Sequence, residues 1–507
     1  MSTINPENIV VFAEEMRQIE TEIFAQEMPV PALMEKAALS IFQHIQIHYP
    51  QSEYLSVSVL VGSGHNGGDA LVVARELHLA GYQVLLYCPL PKFKSLTQKH
   101  FDYAQFLGID CAENIDNFLD CKLIIDGLFG FGLEREVTGH LAILIERINQ
   151  RNKTVVSIDL PSGLHTDTGE ALGIAIEATE SLCLGLWKRL YVQDQAIPYL
   201  GKPTRLDFGI PTQLLEPHTK IQRIDVTIAK RFLPLRRSPL THKYKQGNLL
   251  LIGGSDQYAG SIILAGLGAR ATGVGMLTIA VPKSLKPLVV ARLPEALVIG
   301  CPETEDGAIA ELPDLDFVKY GAIACGCGLT LQGATNIMPK LVKQEVPLIL
   351  DADALNWLAQ NNLSQIQNRQ APTVLTPHLG EFRRIFPMIE ETGDRLTMTQ
   401  QAAQLSNTIT LLKGAKTIVA NPNGQIYCST ASTPALARGG SGDVLLGIAG
   451  GLLSQNPTKP LEVTATAAWW HAQAGILAAK EQTLAGVDGV TLATYLTKFL
   501  TTMDTCM

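Results

Sequence analysis

The stretch that decides the fold is GSGHNGGDA, residues 62–70, whose first six residues fit the spacing G-x-G-x-x-G. It follows the apolar run LSVSVLVG, residues 55–62, and precedes a helical pattern over residues 69–81. An apolar strand, a glycine turn and a helix in this order predict a βαβ unit in a parallel sheet that is covered on both faces. The question is whether this turn binds a dinucleotide.

The residues after the turn argue against an ordinary dehydrogenase site. In such a site an acidic residue about 20 positions further on, at the end of the next strand, binds the ribose. Here the next strand, QVLLYCPLP (residues 83–91), ends without Asp or Glu. The glycine loop therefore indicates another function.

Polar side chains follow three of the predicted strands. Asn66 and Asp69 lie in and just after the glycine run, Asp126 lies in IIDGLFG, and Asp159 and Ser162 lie in SIDLPSG. Because the carboxyl ends of parallel strands meet at one edge of a sheet, we expect these groups to converge. Their oxygens would suit a hard cation or acid/base chemistry. The alternative is that the glycines serve turns and the aspartates cap helices.

Composition narrows the class of protein. The chain has 507 residues, 46% of them apolar and 17% charged, which is typical of a globular protein of two or three domains. A net charge of −8 without a basic stripe argues against nucleic-acid binding. The nine cysteines lack zinc-type spacing, which favours reduced, mostly buried thiols in the cytoplasm. We see no signal peptide and no membrane-spanning run.

The domain organisation follows from where the strand–helix alternation breaks. It loosens after Ile210 in a stretch rich in proline and basic residues, and restarts with NLLLIGG at Asn248. Both halves have an α/β pattern, and Asn423-Gly424 predicts a hairpin turn in the second. We expect a first domain over residues 1–215, a linker over residues 216–240 and a second domain over residues 241–507.

The second half carries its own glycine run, Gly439-Gly440-Ser441-Gly442-Asp443, before the apolar helix VLLGIAGGLL. Main-chain N–H groups at such a helix start form a cradle for phosphate, and a carboxylate beside them can take a proton from an attacking hydroxyl. The alternative is a glycine-rich helix entry that Asp443 caps. Lys413 to Thr417 would meet other phosphate oxygens or merely form a turn between strands. Asp351 and Asp353 are candidates for a capping pair.

Taken together, the motifs HNGGD, SIDLPSG, LLLIGGSDQYAG, LDADALN, LTPHLGEF and ARGGSGDVL make the chain similar to a known family. It resembles the bifunctional NAD(P)H-hydrate repair enzymes, in which an NAD(P)HX epimerase is fused to an ADP-dependent (S)-NAD(P)HX dehydratase. The resemblance implies a Rossmann-like three-layer αβα sandwich followed by a ribokinase-like αβα domain.

For the epimerase half, the resemblance implies a potassium ion and a site for both epimers of hydrated NAD(P)H. Asp159 would be the acid/base group at C6. The potassium ligands would be Asn66, Asp126 and Ser162. The substrate-binding residues would be His65, Asn66, Gly67, Gly68, Asp69, Gly130, Phe131, Gly132, Leu133, Glu134, Arg135, Glu136 and Asp159.

For the dehydratase half, the resemblance implies that ADP, with Mg²⁺, phosphorylates the substrate hydroxyl, yielding AMP and phosphate. Asp443 would be the catalytic residue. The residues that line the substrate and nucleotide site would be Ser261, Gly328, His378, Lys413, Gly414, Ala415, Lys416, Thr417, Gly442 and Asp443.

The partners that follow from the resemblance are hydrated NADH and NADPH, ADP and AMP, and other copies of the chain in a homo-oligomer. We expect no nucleic-acid and no membrane partner. His65, Ala70, Phe131 and His165 differ from the residues usual in the epimerase family. The alternative function is a ribokinase-like small-molecule kinase, which the glycine run with Asp443 alone also allows, with a non-catalytic N-terminal binding domain, which His65 allows.

Overall fold

Apolar runs bounded by glycine turns form two separate sheets in the computed structural model, which describes residues 5–90 and 92–504. The chain divides after Ile221 into two compact units. The expected linker, residues 216–240, contains strand β10 (Ile221–Arg223) and helix α8 (Val226–Ala229), and β10 is the first strand of the second sheet.

The first unit alternates strands and helices. Its elements are β1 (Val10–Val11), α1 (Ala13–Ala25), α2 (Val30–His48), β2 (Ser56–Val61), α3 (His65–Leu79), β3 (Gln83–Tyr87), α4 (Ser95–Phe106), β4 (Asp110–Cys111), α5 (Ile115–Leu119), β5 (Leu123–Gly127), α6 (Gly139–Asn149), β6 (Thr154–Ile158), β7 (Glu180–Leu184), β8 (Trp187–Lys188), α7 (Ile197–Leu200) and β9 (Lys202–Leu206). The main sheet has the order β4-β3-β2-β5-β6-β7-β9 and is parallel throughout, while β1 pairs with β8 in a parallel ribbon.

The second unit repeats the alternation around a larger sheet. After β10 and α8 its elements are β11 (Asn248–Ile252), α9 (Ala259–Ala271), β12 (Met276–Pro282), α10 (Lys286–Arg292), β13 (Leu297–Cys301), β14 (Ala322–Cys325), α11 (Thr330–Leu341), β15 (Leu348–Leu350), α12 (Ala352–Asn361), α13 (Ser364–Gln367), β16 (Thr373–Leu375), α14 (Leu379–Ile385), α15 (Arg395–Ser406), β17 (Ile409–Leu412), β18 (Thr417–Ala420), β19 (Ile426–Ser429), α16 (Ser441–Gln455), α17 (Pro460–Gln482) and α18 (Gly489–Asp504). The strand order is β10-β19-β18-β17-β16-β15-β14-β11-β12-β13. Strand β18 is antiparallel to both of its neighbours, β17 and β19, and the strands from β17 to β13 in this order are all parallel.

Both sheets are covered on two faces, as the apolar runs predict. In β11, Leu249 and Leu251 belong to one apolar core, whereas Leu250 and Ile252 belong to another. In the first unit, Leu123 and Ile125 of β5 face a different core from Ile124. Because successive strand residues point to opposite faces, this alternation confirms the three-layer α/β class for each unit.

Two helices begin earlier than the sequence pattern predicts. Helix α3 begins at His65 rather than Asp69, since Gly64 is its N-cap and the Gly68 N–H donates to the Gly64 carbonyl at 3.2 Å. A Cβ at Gly67 would lie 1.9 Å from the Gly62 carbonyl oxygen, so this close return to the strand end requires glycine. Helix α16 likewise begins at Ser441 rather than Val444.

Two expectations from composition concern cysteines and membranes. The eight cysteines in the described ranges, 5–90 and 92–504, are all free thiols, and six of them are buried. Within the same ranges, every helix is too short or too polar to cross a bilayer.

The close approach of α9 and α16 gives a stability prediction. A Cβ at Gly447 would lie 1.9 Å from the Ala265 carbonyl oxygen, whereas a Cβ at Gly260, also helical, meets nothing within 4 Å. We expect Gly447→Ala to destabilise the protein by about 1–3 kcal/mol through overpacking, and Gly260→Ala to be neutral or slightly stabilising. Urea unfolding of both variants measures the difference, and equal stability of the two would contradict this packing.

Candidate active sites

A buried carboxylate organises the site of the first unit, where β2, β5 and β6 end side by side. Asp126 has no exposed surface. Its Oδ1 accepts hydrogen bonds from the Leu128 N–H at 3.2 Å and the Ser162 hydroxyl at 2.6 Å, while its Oδ2 accepts from the Ser157 hydroxyl at 2.8 Å and the Ser162 N–H at 2.9 Å. Burial raises the pKa of Asp126, and the hydrogen bonds from Ser162 oppose that shift.

The other two predicted cation ligands lie beside this carboxylate. The Ser162 hydroxyl accepts from the Phe129 N–H at 2.9 Å, and Asn66 Nδ2 donates to the Phe129 carbonyl at 2.9 Å. A Cβ at Gly130 would lie 3.6 Å from the amide oxygen of Asn66, so the glycine leaves a small cradle open there. The site thus offers carboxylate, amide and hydroxyl oxygens with one negative charge, a set that fits a hard monovalent cation.

Asp159, the predicted acid/base residue, is held at several points. Its backbone has a φ of +66°. Its N–H donates to the Leu182 carbonyl at 2.9 Å, and its carbonyl accepts from the Tyr191 hydroxyl at 2.6 Å. Its Oδ1 accepts from the Leu184 N–H at 3.2 Å and from Lys188 Nζ at 2.5 Å. A non-glycine residue in the left-handed region is costly and marks a position that the surrounding structure enforces.

Further carboxyl groups face Asp159. Asp69, on α3, is buried, and its pKa is raised well above the ordinary value by burial and by the charges of Asp159 and Glu20. Glu20, on α1, has its pKa raised to about 7, chiefly by burial, although the charge of Lys188 opposes the shift. The first unit therefore gathers Asp69, Glu20 and one lysine around Asp159, in addition to the Asp126 carboxylate of the predicted cation site.

The remaining predicted epimerase residues form the rim. Gly67 and Gly68 are buried in the first turn of α3, while His65 is exposed and has its pKa lowered by burial of its ring and by the charge of Lys94. Phe131 is half-buried, with its ring centre 5.7 Å from Lys188 Nζ. The rest of the loop is mostly exposed: Gly132, Leu133, Glu134, Arg135 and Glu136.

The site of the second unit is built on the first turn of α16. Gly440, the N-cap, has a φ of +90°, and Ser441, Gly442 and Asp443 follow as the first helical residues. Within the described part of the chain, the N–H groups of Gly442 and Asp443 donate to no acceptor. Free N–H groups at the positive end of a 15-residue helix are suited to bind an anion.

Asp443 combines burial with a negative neighbour. Burial, followed by the charge of Asp351, raises the pKa of Asp443 to about 7, against a hydrogen bond from Ser261 and the charge of Lys413. A carboxyl group with a pKa near neutrality can accept and return a proton under physiological conditions. The expectation that Asp443 is only a helix cap is therefore the weaker one.

Lys413 connects three parts of the site. Its Nζ donates to Asp351 Oδ1 at 2.5 Å and lies 3.5 Å from the position of a Cβ at Gly442. Its N–H donates to the Pro377 carbonyl at 2.9 Å, which brings the β17–β18 turn next to His378. Lys413 to Thr417 thus connects β17 to β18, as one of the two alternatives from the sequence predicts, and the side chain of Lys413 also reaches the start of α16.

Ser261 and Gly328 complete this cluster. Gly328 has a φ of +60°, and a Cβ there would lie 3.1 Å from the Ser261 Cβ. Ser261 in turn bonds Asp443. His378 lies further out, with Nδ1 accepting from the N–H groups of Gly380 and Glu381 at 3.0 and 3.3 Å as the N-cap of α14.

Asp351 and Asp353, which the sequence suggested as a capping pair, do not cap one helix together in the described residues. Asp351 occupies the N-cap position of α12, but its side chain makes no capping bond and instead pairs with Lys413. Asp353 Oδ2 accepts from the Thr330 N–H at 2.9 Å, which is the start of a different helix, α11.

Sequence reasoning missed several residues of these sites. Lys188 and Glu20 lie outside every motif, on β8 and α1, and β8 pairs with β1, the strand that precedes α1. His471 was also missed, although its Nε2 contacts the Ser441 carbonyl at 2.9 Å and burial lowers its pKa to about 4. Since a carbonyl only accepts, the neutral ring must carry its hydrogen on Nε2. The signal for His471 was an ionisable side chain in the middle of α17, between Glu462 and Lys480, where no other residue is ionisable.

Neither site contains a ready-made cluster for a divalent metal. Among residues 5–90 and 92–504, no group of three or more His, Cys, Asp or Glu side chains could hold a metal ion. Magnesium bound to a nucleotide needs only one or two protein carboxylates besides the phosphates, and Asp351, Glu381 and Asp443 lie in the second site. The residues therefore fit a magnesium ion that enters with its nucleotide.

Two family models match the chain. The model described as NAD(P)H-hydrate dehydratase matches residues 249–498. The model described as YjeF-related protein N-terminus matches residues 30–190. A solved structure of the ADP/ATP-dependent NAD(P)H-hydrate dehydratase from Bacillus subtilis, co-crystallised with ATP and Mg²⁺, aligns with a TM-score of 0.46 and 32% identity over 54% of this chain and 95% of that chain.

Full-length relatives match both units. The bifunctional NAD(P)H-hydrate repair enzyme Nnr of a Synechocystis species is 53% identical over 96% of this chain and 94% of the relative. The enzyme of the same name from Thermosynechococcus vestitus is 50% identical over 94% of each chain, and that from Escherichia coli is 32% identical over 94% of this chain and 92% of the relative. The chain therefore belongs to the family of bifunctional NAD(P)H-hydrate repair enzymes.

Proposed function

We propose that this chain repairs hydrated NADH and NADPH. The first domain, residues 1–215, interconverts the R and S epimers at C6, and the second, residues 241–507, converts the S epimer to NAD(P)H with ADP as phosphoryl donor. The observation that carries the second activity is Asp443, with a pKa of about 7, beside free N–H groups at the start of α16.

The dehydration needs a better leaving group than hydroxide. Asp443 takes the proton of the C6 hydroxyl, and that oxygen attacks the terminal phosphorus of ADP, releasing AMP. The nitrogen next to C6 then expels phosphate with its lone pair, and loss of a proton from C5 leaves NAD(P)H. The N–H groups of Gly442 and Asp443 stabilise the negative charge on the phosphoryl group as it is transferred from ADP to the substrate oxygen.

The neighbouring residues position the reactants. The ammonium of Lys413 and the turn through Gly414, Ala415, Lys416 and Thr417 hold the nucleotide phosphates, and Mg²⁺ arrives with them. Ser261 orients the Asp443 carboxylate, as its hydrogen bond supports. Gly328 and His378 line the space for the substrate.

The epimerisation is a proton transfer at the C6 hydroxyl. Asp159 accepts the hydroxyl proton while the C6–N1 bond breaks and its electron pair moves to nitrogen. The resulting C6 carbonyl rotates, the proton passes through Asp159, and the ring closes on the other face. Potassium at Asn66, Asp126 and Ser162 supplies positive charge, and the rim from Gly130 to Glu136 with residues 65–69 holds the nucleotide.

The proposal also covers the setting in which the enzyme works. We infer a homo-oligomer in the cytoplasm, where hydrated NADH and NADPH form. The reduced thiols in residues 5–90 and 92–504 support this compartment.

The role of Asp443 is tested by replacement. We expect Asp443→Ala to lower the kcat of dehydration by at least about 10³-fold, because both proton transfer and alignment of the hydroxyl are lost. Calorimetry should still detect ADP binding, and the epimerase activity of the same chain serves as the control. Near-normal dehydration by this variant would rule out the role.

The pH dependence follows from the raised pKa of Asp443. A base must be ionised, so activity should fall about tenfold per pH unit below the group's pKa. Since that pKa is raised from 3.8 to about 7 in the free enzyme, the acid limb of kcat/KM for dehydration should lie near pH 7. An acid limb near pH 4 would show that another group, or an unburied Asp443, controls the step.

The potassium site is tested by titration. Asn66→Ala removes an amide oxygen from the cradle, and we expect the potassium concentration for half-maximal epimerisation to rise by about tenfold, a shift of roughly 1.4 kcal/mol. The matched control is Asn114→Ala, which removes an amide from the N-cap of α5. Identical potassium curves for the two variants would contradict the assignment.

A further inference from the structure

Lys188 stands out because it is a fully buried ammonium group with no place in any sequence motif. Its side chain is 1% exposed and that of its partner Asp159 is 5% exposed. Its Nζ donates to Asp159 Oδ1 and to the Leu184 carbonyl, each at 2.5 Å. Burying such a pair costs several kcal/mol of desolvation and often stabilises less than an apolar pair of the same size. Stability alone therefore does not account for it.

The ion pair with Lys188 gives the two carboxylate oxygens of Asp159 different roles. Oδ1 accepts from Lys188 and from the Leu184 N–H at 3.2 Å. Within the described residues, no hydrogen bond reaches Oδ2. The hydrogen bonds with Leu182 and Tyr191 fix the main chain of Asp159, and the two hydrogen bonds to Oδ1 fix the plane of its carboxylate. Oδ2 is the atom left to handle a proton.

The ionisable groups around Asp159 show which charges the ammonium of Lys188 offsets. The ionisable groups that face Asp159 are Glu20 on α1, Asp69 on α3, Cys183 on β7, Lys188 on β8 and Tyr191. Lys188 is the one cation in this set. Burial is the largest single influence on Lys188 and opposes its charged form, but the charge and hydrogen bond of Asp159 together with the charges of Cys183 and Glu20 raise its pKa. The ammonium of Lys188 therefore offsets the negative charge that Asp159 and its acidic neighbours bring to this buried place.

We propose that Lys188 is the positioning residue of the epimerase: its ammonium holds Oδ1 of Asp159 and places a positive charge beside the carboxylate, so that Oδ2 exchanges the proton with the C6 hydroxyl. The O–H bond breaks as the proton moves to Oδ2, and the same proton is returned when the ring has closed on the other face. This inference rests on the proposed epimerase function. It assigns to Lys188 no contact with the substrate.

The test compares two variants in the full-length chain. Lys188→Gln keeps a hydrogen-bond donor but removes the charge, and Lys188→Arg keeps both. We expect Lys188→Gln to lower the epimerase kcat by about 10²-fold and to move its acid limb to higher pH by about one unit or more. Lys188→Arg should retain the acid limb of the unmodified enzyme with a smaller loss of rate.

Several readouts separate this role from a structural one. Dehydration of the pure S epimer by the same samples should be unchanged, and urea unfolding shows whether the first unit is intact. If Lys188→Gln does not fold, Lys188→Met, which also lacks the charge, replaces it with the same expected shift. A folded neutral variant whose acid limb matches the unmodified enzyme would overturn the proposal, even with a reduced rate. Absence of epimerisation by the unmodified chain would instead contradict the proposed function itself.

Discussion

The constraint on which the second site depends is the packing of two helices around a half-buried acid. Partial burial and the neighbouring charge of Asp351 raise the pKa of Asp443 to about 7, and the start of α16 that carries this residue packs tightly on α9. Gly268 and Gly447 allow the two backbones to approach, with a Cβ at Gly268 only 2.3 Å from the Val444 carbonyl oxygen. That approach brings Ser261 to Asp443, so the packing of two helices sets the protonation of the acid.

The two units use the same elements differently. Each gathers buried carboxyl groups at the carboxyl ends of parallel strands and offsets them with one lysine. In the first unit the lysine pairs with the proposed acid/base residue itself, Asp159. In the second, Lys413 pairs with the neighbouring Asp351, and Asp443 keeps a pKa near neutrality. The first arrangement suits reversible proton exchange, and the second suits deprotonation coupled to phosphoryl transfer.

The sequence predicts the part of this structure that is encoded locally. The apolar runs that form β2, β5, β6 and β11 and the Asn423-Gly424 turn are confirmed, because burial on both faces and turn geometry leave their mark within a few residues. The predicted helix starts at Asp69 and Val444 are wrong by about one turn. Glycine has a low helix propensity, and here a close approach to the preceding strand overrides it.

What the sequence does not predict is pairing between distant segments. Lys188 reaches Asp159 because it follows β7, which pairs with β6, and Asp159 comes directly after β6. Asp351 reaches Lys413 across 62 positions of the chain. In the first case the motif residue is visible and its counter-ion is not. In the second both residues are visible but their pairing is not, since an ion pair between distant residues depends on topology rather than on spacing.

The central claim is that the substrate hydroxyl becomes a phosphate ester before it leaves. It is tested most directly by following the oxygen of that hydroxyl. Hydrated NADH prepared with ¹⁸O at C6 is incubated with the enzyme and unlabelled ADP in ordinary water, and the products are separated by mass spectrometry. The account predicts that the label appears in inorganic phosphate, with AMP formed in equal amount. Label in water, with phosphate unlabelled, would contradict it.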